Sequence, residues 1–184
     1  MNYSVPELET LRCVIRGMEL ADACDIYAYM SQEVVQTYLE LPIIYDIDDM
    51  IVYIQDVYLN YEQQKQPQCW CIEDKQTMMV IGQVCFYNHL ENCVYLECML
   101  HPLYWGQGIM KEVLLKVIQI GFSYFHFDTI YAKCRIDNQR MRKLLDICGF
   151  HEHHSFCKQT SSNRIYYISK IDWRNINENI SRKI

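Results

Sequence analysis

Apolar and polar positions change period several times along the chain, and each change predicts an element. Residues 8–16, LETLRCVIR, alternate well enough for a half-buried first strand. MELADACDIYAYMS then sets Leu20, Ala21, Cys24, Ile26 and Tyr27 at helical spacing, and SQEVVQTYL opens a second, shorter helix at Ser31. After Pro42, DIDDMIVYIQDVYLNYEQQ carries acidic residues in a first turn and apolar ones at Ile47, Met50, Ile51, Ile54, Val57 and Tyr58. That pattern predicts an amphipathic helix ended by the polar stretch 63–68.

From there the period shortens to two. CWCIED reads as a strand, and TMMVIGQVCFYN and NCVYLECML, joined by HLE, have the β-branched and aromatic content of an antiparallel pair. HPLYWGQG turns into a helix over 108–124, TIYAKCRI is a strand, and NQRMRKLLDICGF is a helix starting at Asn138 and stopped by Gly149. Two last strands are expected near 150–157 and 164–172, followed by a tail, RNINENISRKI, without strong pattern. This order predicts an α/β (α+β) fold, a mixed sheet with helices on its faces. The strand–helix–strand unit at 93–135 is long enough for a right-handed parallel crossover, whose ligand is expected at the carboxyl end of the first strand. No linker or repeat divides the chain, so we expect one domain over 1–173 and a C-terminal tail over 174–184.

Composition narrows the function classes. At 51% hydrophobic and 22% charged residues, the 184-residue chain is an ordinary globular one, large enough to bury a core without staples. A net charge of -6 and a pI near 5.5 oppose the basic surface a nucleic-acid partner requires and make cationic substrates the easier ligands. No run of eighteen apolar residues exists, so no membrane span is expected. Met1 leads into NYSVPELETL with neither a charged nor an apolar leader region, so we expect a cytoplasmic protein whose ten cysteines are reduced thiols. Cys69 and Cys71, flanking Trp70, read as two buried thiols on one sheet face rather than as zinc ligands. His151 and His153 of GFHEHHSF would share a strand face, but without a fourth ligand nearby they read as an exposed polar strand, and no metal is expected.

Gly106 and Gly108 stand at a strand-to-helix turn, where unpaired N–H groups and the helix dipole suit a phosphate. No Gly-Lys-Ser/Thr closes the turn and no third glycine completes G-x-G-x-x-G, which sets ATP and NAD aside.

MLHPLYWGQGIMKEVLL resembles the acetyl-coenzyme A motif of the GNAT N-acetyltransferase superfamily, and its Tyr-Trp-Gly-Gln-Gly variant is similar to the Rim-type branch, which includes ribosomal-protein N-terminal acetyltransferases. LETLRCVIRGMELADACDIYAYMSQEVVQTYL resembles that branch's opening strand and helices, NQRMRKLLDICGF its asparagine-led segment, and RIYYISKIDW its closing strand ending in Trp173. The resemblance spans residues 8–173. It implies a mostly antiparallel central sheet splayed at the cofactor site, with acetyl-CoA as co-substrate. Backbone near Met99 and Leu100 would hold the pantetheine arm, and Trp105, Gly106, Gln107, Gly108, Ile109 and Met110 would cradle the pyrophosphate. Asn138 would contact the cofactor near its thioester, serve as a helix N-cap, or both. Arg140, Arg142 and Lys143 read either as phosphate contacts or as a solvated helix face.

In this family an amine attacks the thioester directly, which calls for a base, oxyanion donors and a proton for the leaving thiolate. Here the slots that often hold Ser or Tyr carry Met141 and Leu145, and a position where some relatives keep a glutamate is Lys133. Glu97 is the remaining candidate base, with a solvated sheet-face carboxylate as its alternative, and Cys98 and Tyr131 are weaker candidate acids. The resemblance implies an N-acetyltransferase acting on a small-molecule or peptide amine. The competing readings are an acyl-CoA-binding module without turnover and a partner-binding domain without a cofactor. Oligomeric state stays open, a homodimer among the options.

Overall fold

A computed structural model describes residues 5–38, 44–59, 68–153 and 162–181, with side chains described as far as Ile176 at the C-terminal end. The first predicted strand is two. Thr10 accepts at its hydroxyl from the Arg12 and Cys13 amides, and this turn folds β1 (Leu8–Glu9) back on β2 (Cys13–Gly17). Helices α1 (Ala23–Met30) and α2 (Glu33–Gln36) follow, and Ser31, expected to open α2, instead closes α1 by donating its amide and hydroxyl to the Tyr27 carbonyl. Asp46 caps α3 (Ile47–Tyr53), accepting from the Asp49 amide at 2.9 Å, and the chain runs on as a π-helical segment, Ile54–Leu59. The predicted end of this helix lies outside the described residues.

Strands β3 (Gln68–Asp74), β4 (Val80–Leu90) and β5 (Cys93–Leu100) form the antiparallel centre. Helix α4 (Ile109–Ser123) then crosses over to β6 (Thr129–Arg135), parallel to β5 as expected. Helix α5 (Gln139–Ile147), β7 (His151–Glu152) and β8 (Asn163–Ser169) complete a sheet of order β1-β2-β3-β4-β5-β6-β8-β7. Beyond His153 the strand expected over 150–157 lies outside the described residues.

The chain end differs from expectation. Strand β8 stops at Ser169 and a helix, α6 (Lys170–Ser181), takes over, crossing the expected boundary at 173/174. Ser169 and Asp172 bond reciprocally, the serine hydroxyl accepting from the Asp172 amide and the carboxylate accepting from the Ser169 amide and hydroxyl. That is a capping box in the sequence Ser-Lys-Ile-Asp, and it turns a strand pattern into a helix start. Trp173 is thereby swung onto Phe122 of α4 and buried.

Two cores sandwich the sheet. Val84, Phe86, Val94, Leu96, Ile130 and Ala132 face α4, whose Val113, Leu114, Val117, Ile118 and Phe122 are buried against them. Cys69, Cys71, Cys85 and Met99 face the other way, under Ile26, Tyr29, Met50 and Ile54 of the early helices. Cys69 and Cys71 share a face as expected, but Cys69 is joined by a disulfide to Cys85, its register partner on β4, so the expectation of ten free thiols is corrected. No described helix is long and apolar enough to cross a membrane.

Candidate active site

The parallel pairing of β5 with β6 is short. It runs from Cys93↔Thr129 to Leu96↔Ala132 and stops, while β5 continues to Leu100 and β6 to Arg135. Past that point β5 stays paired only with β4, from Cys85↔Glu97 to Gly82↔Leu100. Gly82 permits this close approach, because a Cβ there would run into the Met99 carbonyl and Leu100. The two strands therefore part, and a cleft of about 1460 Å³ opens between them.

At one end of this cleft the chain leaves β5 through His101, whose Nδ1 accepts from the Leu103 amide, and a single 3-10 turn at Pro102–Tyr104. Gly106 and Gly108 follow with φ of +76° and +79°, a left-handed conformation that other residues adopt only under strain. Nothing lies within 4 Å of a Cβ built on Gly106, so the glycine leaves open space and does not serve internal packing. Gly108 is the N-cap of α4, and the amides of the first turn point out of the helix there. Arg12 holds the turn from behind, its guanidinium bonding Glu112 Oε1 at 2.7 and 3.0 Å and the Gln107 carbonyl at 2.9 Å. That pair neutralises the one acidic side chain in the first turn of α4.

Of the residues singled out from the sequence, Glu97, Met99, Leu100, Trp105, Gly106, Gly108, Ile109, Met110 and Asn138 all line the cleft. Gln107 does not. Its side chain folds back to donate to the Leu103 carbonyl at 2.7 Å. Ile109 and Met110 line the cleft at its base and are buried in the core beneath α4. Trp105 donates its indole N–H to the Leu100 carbonyl at 2.6 Å, and the Arg140 guanidinium lies 4.9 Å from its ring centroid. Asn138 caps α5, accepting from the Met141 amide at 3.0 Å.

Glu97 and Lys133 occupy successive positions past the last pair Leu96↔Ala132, on the sheet face away from α4. Burial pushes the Glu97 carboxyl up, and the Lys133 ammonium partly opposes this. Cys98 and Cys134 line the cleft from the α4 side, and burial raises both thiols, Cys134 to about 11. Cys98 Sγ lies 3.9 Å from Met141 Sδ. Tyr131 stacks on Tyr95 and is not among the residues lining the cleft. Leu145, in the slot read as a missing acid, is fully buried. Of the basic trio on α5, Arg140 and Lys143 line the cleft, whereas Arg142 turns away to bond the Tyr166 hydroxyl at 3.0 Å. His151 of β7 and His153 just after it belong to no metal grouping among the described residues, and His154 lies outside them.

Sequence reading missed three participants. Lys111 lines the cleft from the first turn of α4, Arg12 braces the turn from β2's entry, and Gly82 lets β4 lie close against Met99 and Leu100 at the cleft. Only Gly82, a glycine inside an apolar strand, carried a local signal for close backbone approach.

An open left-handed glycine turn, outward amides and the cations Lys111, Arg140 and Lys143 at one end, with unladdered strand ends beyond, fit a long anionic cofactor with a polar amide arm. The family described as acetyltransferase (GNAT) domain matches residues 12–151. YoaA of Bacillus subtilis (strain 168), an uncharacterised N-acetyltransferase, is 32% identical over 149 residues, covering 79% of this chain and 82% of its own. Among solved structures, RimL, a ribosomal L7/L12 α-N-protein acetyltransferase in complex with coenzyme A, superposes with a TM-score of 0.79 at 16% identity, over 89% of this chain and 98% of its own. A spermidine N-acetyltransferase from Vibrio cholerae in complex with coenzyme A and spermine gives 0.73 at 17%, over 89% and 99%. The chain belongs to the GNAT acetyltransferase family and is an acetyl-CoA-dependent N-acetyltransferase.

Proposed function

We propose that the protein moves the acetyl group of acetyl-CoA directly to a primary amine, with Glu97 as base. The observation that carries this reading is that the glycine turn at α4 and the parted ends of β5 and β6 open into one cleft, which reaches Glu97 on the opposite sheet face. First-turn amides of α4 with Lys111, Arg140 and Lys143 would hold the phosphates, and the strand ends near Met99 and Leu100 the pantetheine arm. The coenzyme supplies an activated acyl carbon on a sulfur that leaves readily. Glu97, directly or through water, takes the ammonium proton, and the freed amine attacks the carbonyl carbon. A backbone N–H along the parting strands would steady the oxyanion; as the C–S bond breaks the new amide nitrogen gives up its second proton, through water, and the thiolate takes a proton to leave as the free thiol. Holding the two reactants in line contributes much of the acceleration.

Thiol release on mixing the protein with acetyl-CoA and a panel of peptide N-termini, polyamines and small amines tests the reading. Gly108→Trp, which fills the turn, is expected to abolish calorimetric binding of acetyl-CoA, and normal binding by that variant would remove the cradle.

A further inference from the structure

Arg12 and Glu112 stand outside the cleft, yet the hydrogen bonds between them end on the segment that carries the glycine turn. Arg12 Nη1 donates to the Gln107 carbonyl at 2.9 Å, and Nε and Nη2 both donate to Glu112 Oε1, at 3.0 and 2.7 Å. The arginine is itself held at its backbone. Its amide donates to the Thr10 hydroxyl at 3.3 Å and its carbonyl accepts from the Lys75 amide at 3.0 Å, so the guanidinium starts from a point fixed by the β1–β2 turn and by the chain just past β3.

The peptide joining Gln107 to Gly108 is trans, and in a trans peptide the C=O and the N–H point to opposite sides. With the Gln107 carbonyl turned back onto Arg12, the Gly108 N–H is turned the other way, toward the cleft that Gly106 and Gly108 line. Among the described residues nothing accepts from that amide. The pair with Glu112 explains little as a stabilising bridge, because its side chains are 37% and 31% exposed and ion pairs so open to water add little to stability. Its effect is on direction. Two N–H groups on one carboxylate oxygen fix the plane of the guanidinium, which leaves Nη1 aimed at residue 107.

We propose that Arg12 is a positioning residue for coenzyme binding: anchored on Glu112, it holds the Gln107 carbonyl back and so aims the Gly108 amide at a phosphate oxygen of the coenzyme. This rests on the cradle reading above. Arg12 acts through the peptide it orients, from the far side of the turn. An amide aimed beforehand makes its charge-assisted bond without first giving up conformational freedom, which is where the affinity comes from.

The test is calorimetric binding of coenzyme A to the full chain, with a thermal melt alongside. Arg12→Met is expected to weaken binding about tenfold, as the loss of one well-aimed bond to a charged group would, while the melting temperature moves by no more than about 4 °C. Arg12→Lys keeps the charge without the fork and should lose most of that factor, so it decides the matter if Arg12→Met does not fold. In a Glu112→Gln background, where the amide oxygen can still anchor the fork, Arg12→Met should still cost about threefold or more in affinity. In isotope-labelled protein the Gly108 amide proton resonance should move downfield on adding coenzyme A, and much less in Arg12→Met. Unaltered affinity in both arginine variants, full recovery of Arg12→Met by Glu112→Gln, or an equal Gly108 shift with and without the arginine would overturn the proposal while leaving coenzyme binding intact. No binding of coenzyme A by the unaltered protein would overturn the cradle reading with it.

Discussion

Glu97 has its charge state set by its place at the end of the ladder, half-buried on β5 with Lys133 across the gap. Burial raises its pKa above that of an unfolded chain. A carboxyl raised in this way adds stability that is complete below the unfolded range near ~4.3 and is lost as pH rises through the folded value. Glu97→Gln is therefore expected to raise the urea midpoint at neutral pH and to flatten its fall across the acid range. The same change should lower kcat by about a hundredfold if the carboxylate is the base, and should remove the acid limb of the pH profile. A variant with unaltered kcat would make Glu97 a wall residue. At this scale glycine is the most legible letter, since Gly106 and Gly108 answer a local backbone demand. The partners of Glu97 were illegible, because Lys133 stands 36 places on and meets it only through the register of β5 on β6. Trp105 was half-read. Its position at the turn was evident, while its hydrogen bond to the Leu100 carbonyl depends on a rotamer that no spacing shows. Trp105→Phe keeps the ring under Arg140 and leaves that carbonyl without its donor, so denaturation should show a loss of about 1 kcal/mol, and calorimetry a weaker hold on the coenzyme.

Elements were read well where one period ran long, as in β4, β5 and α4, and less well where a single side chain overrides the pattern. Thr10 breaks an alternating run into a hairpin, and Ser169 with Asp172 converts the end of a strand into a helix. Both are short-range polar bonds competing with a hydrophobic rhythm. Helix α6 is the clearest case, because RNINENIS looks polar and weak by itself, and its anchor is the one large residue before it. Trp173 seals the core between α4 and α6, so Trp173→Ala should cost about 3–5 kcal/mol in urea unfolding. A change below 1 kcal/mol would mean that α6 is only loosely attached.

On the scale of the whole molecule, the β5–α4–β6 crossover was legible from length and order, and it locates the cleft. The division of the sheet into two cores was not, since which face a strand turns to which helix depends on pairings between residues far apart in the chain, such as Arg16 of β2 reaching Glu73 of β3, 57 residues on, beside Asp22. That network has a pH signature of its own. Burial pushes Asp22 up, but hydrogen bonds from Arg16 and the Glu19 amide outweigh it and hold the carboxyl below its usual value. Its stabilisation is present above the unfolded carboxyl range and is lost as pH falls through the folded value, so Asp22→Asn should weaken the protein most near neutrality and least in acid, as followed by melting temperature.

The early end of the β5–β6 ladder carries a last consequence. Along residues 97–100 one edge of β5 has no strand beside it, so a sheet of eight strands contains an interior gap. A coenzyme arm lying there would act as a short ninth strand supplied from solution. In deuterium exchange those amides of 97–100 and 133–135 that face the gap, rather than β4 or β8, should then trade hydrogen quickly in the empty protein and slowly in the loaded one, while those of β3 and β4 scarcely change. The melting temperature should climb with coenzyme concentration, by the equivalent of about 2.7 kcal/mol at a hundred times Kd.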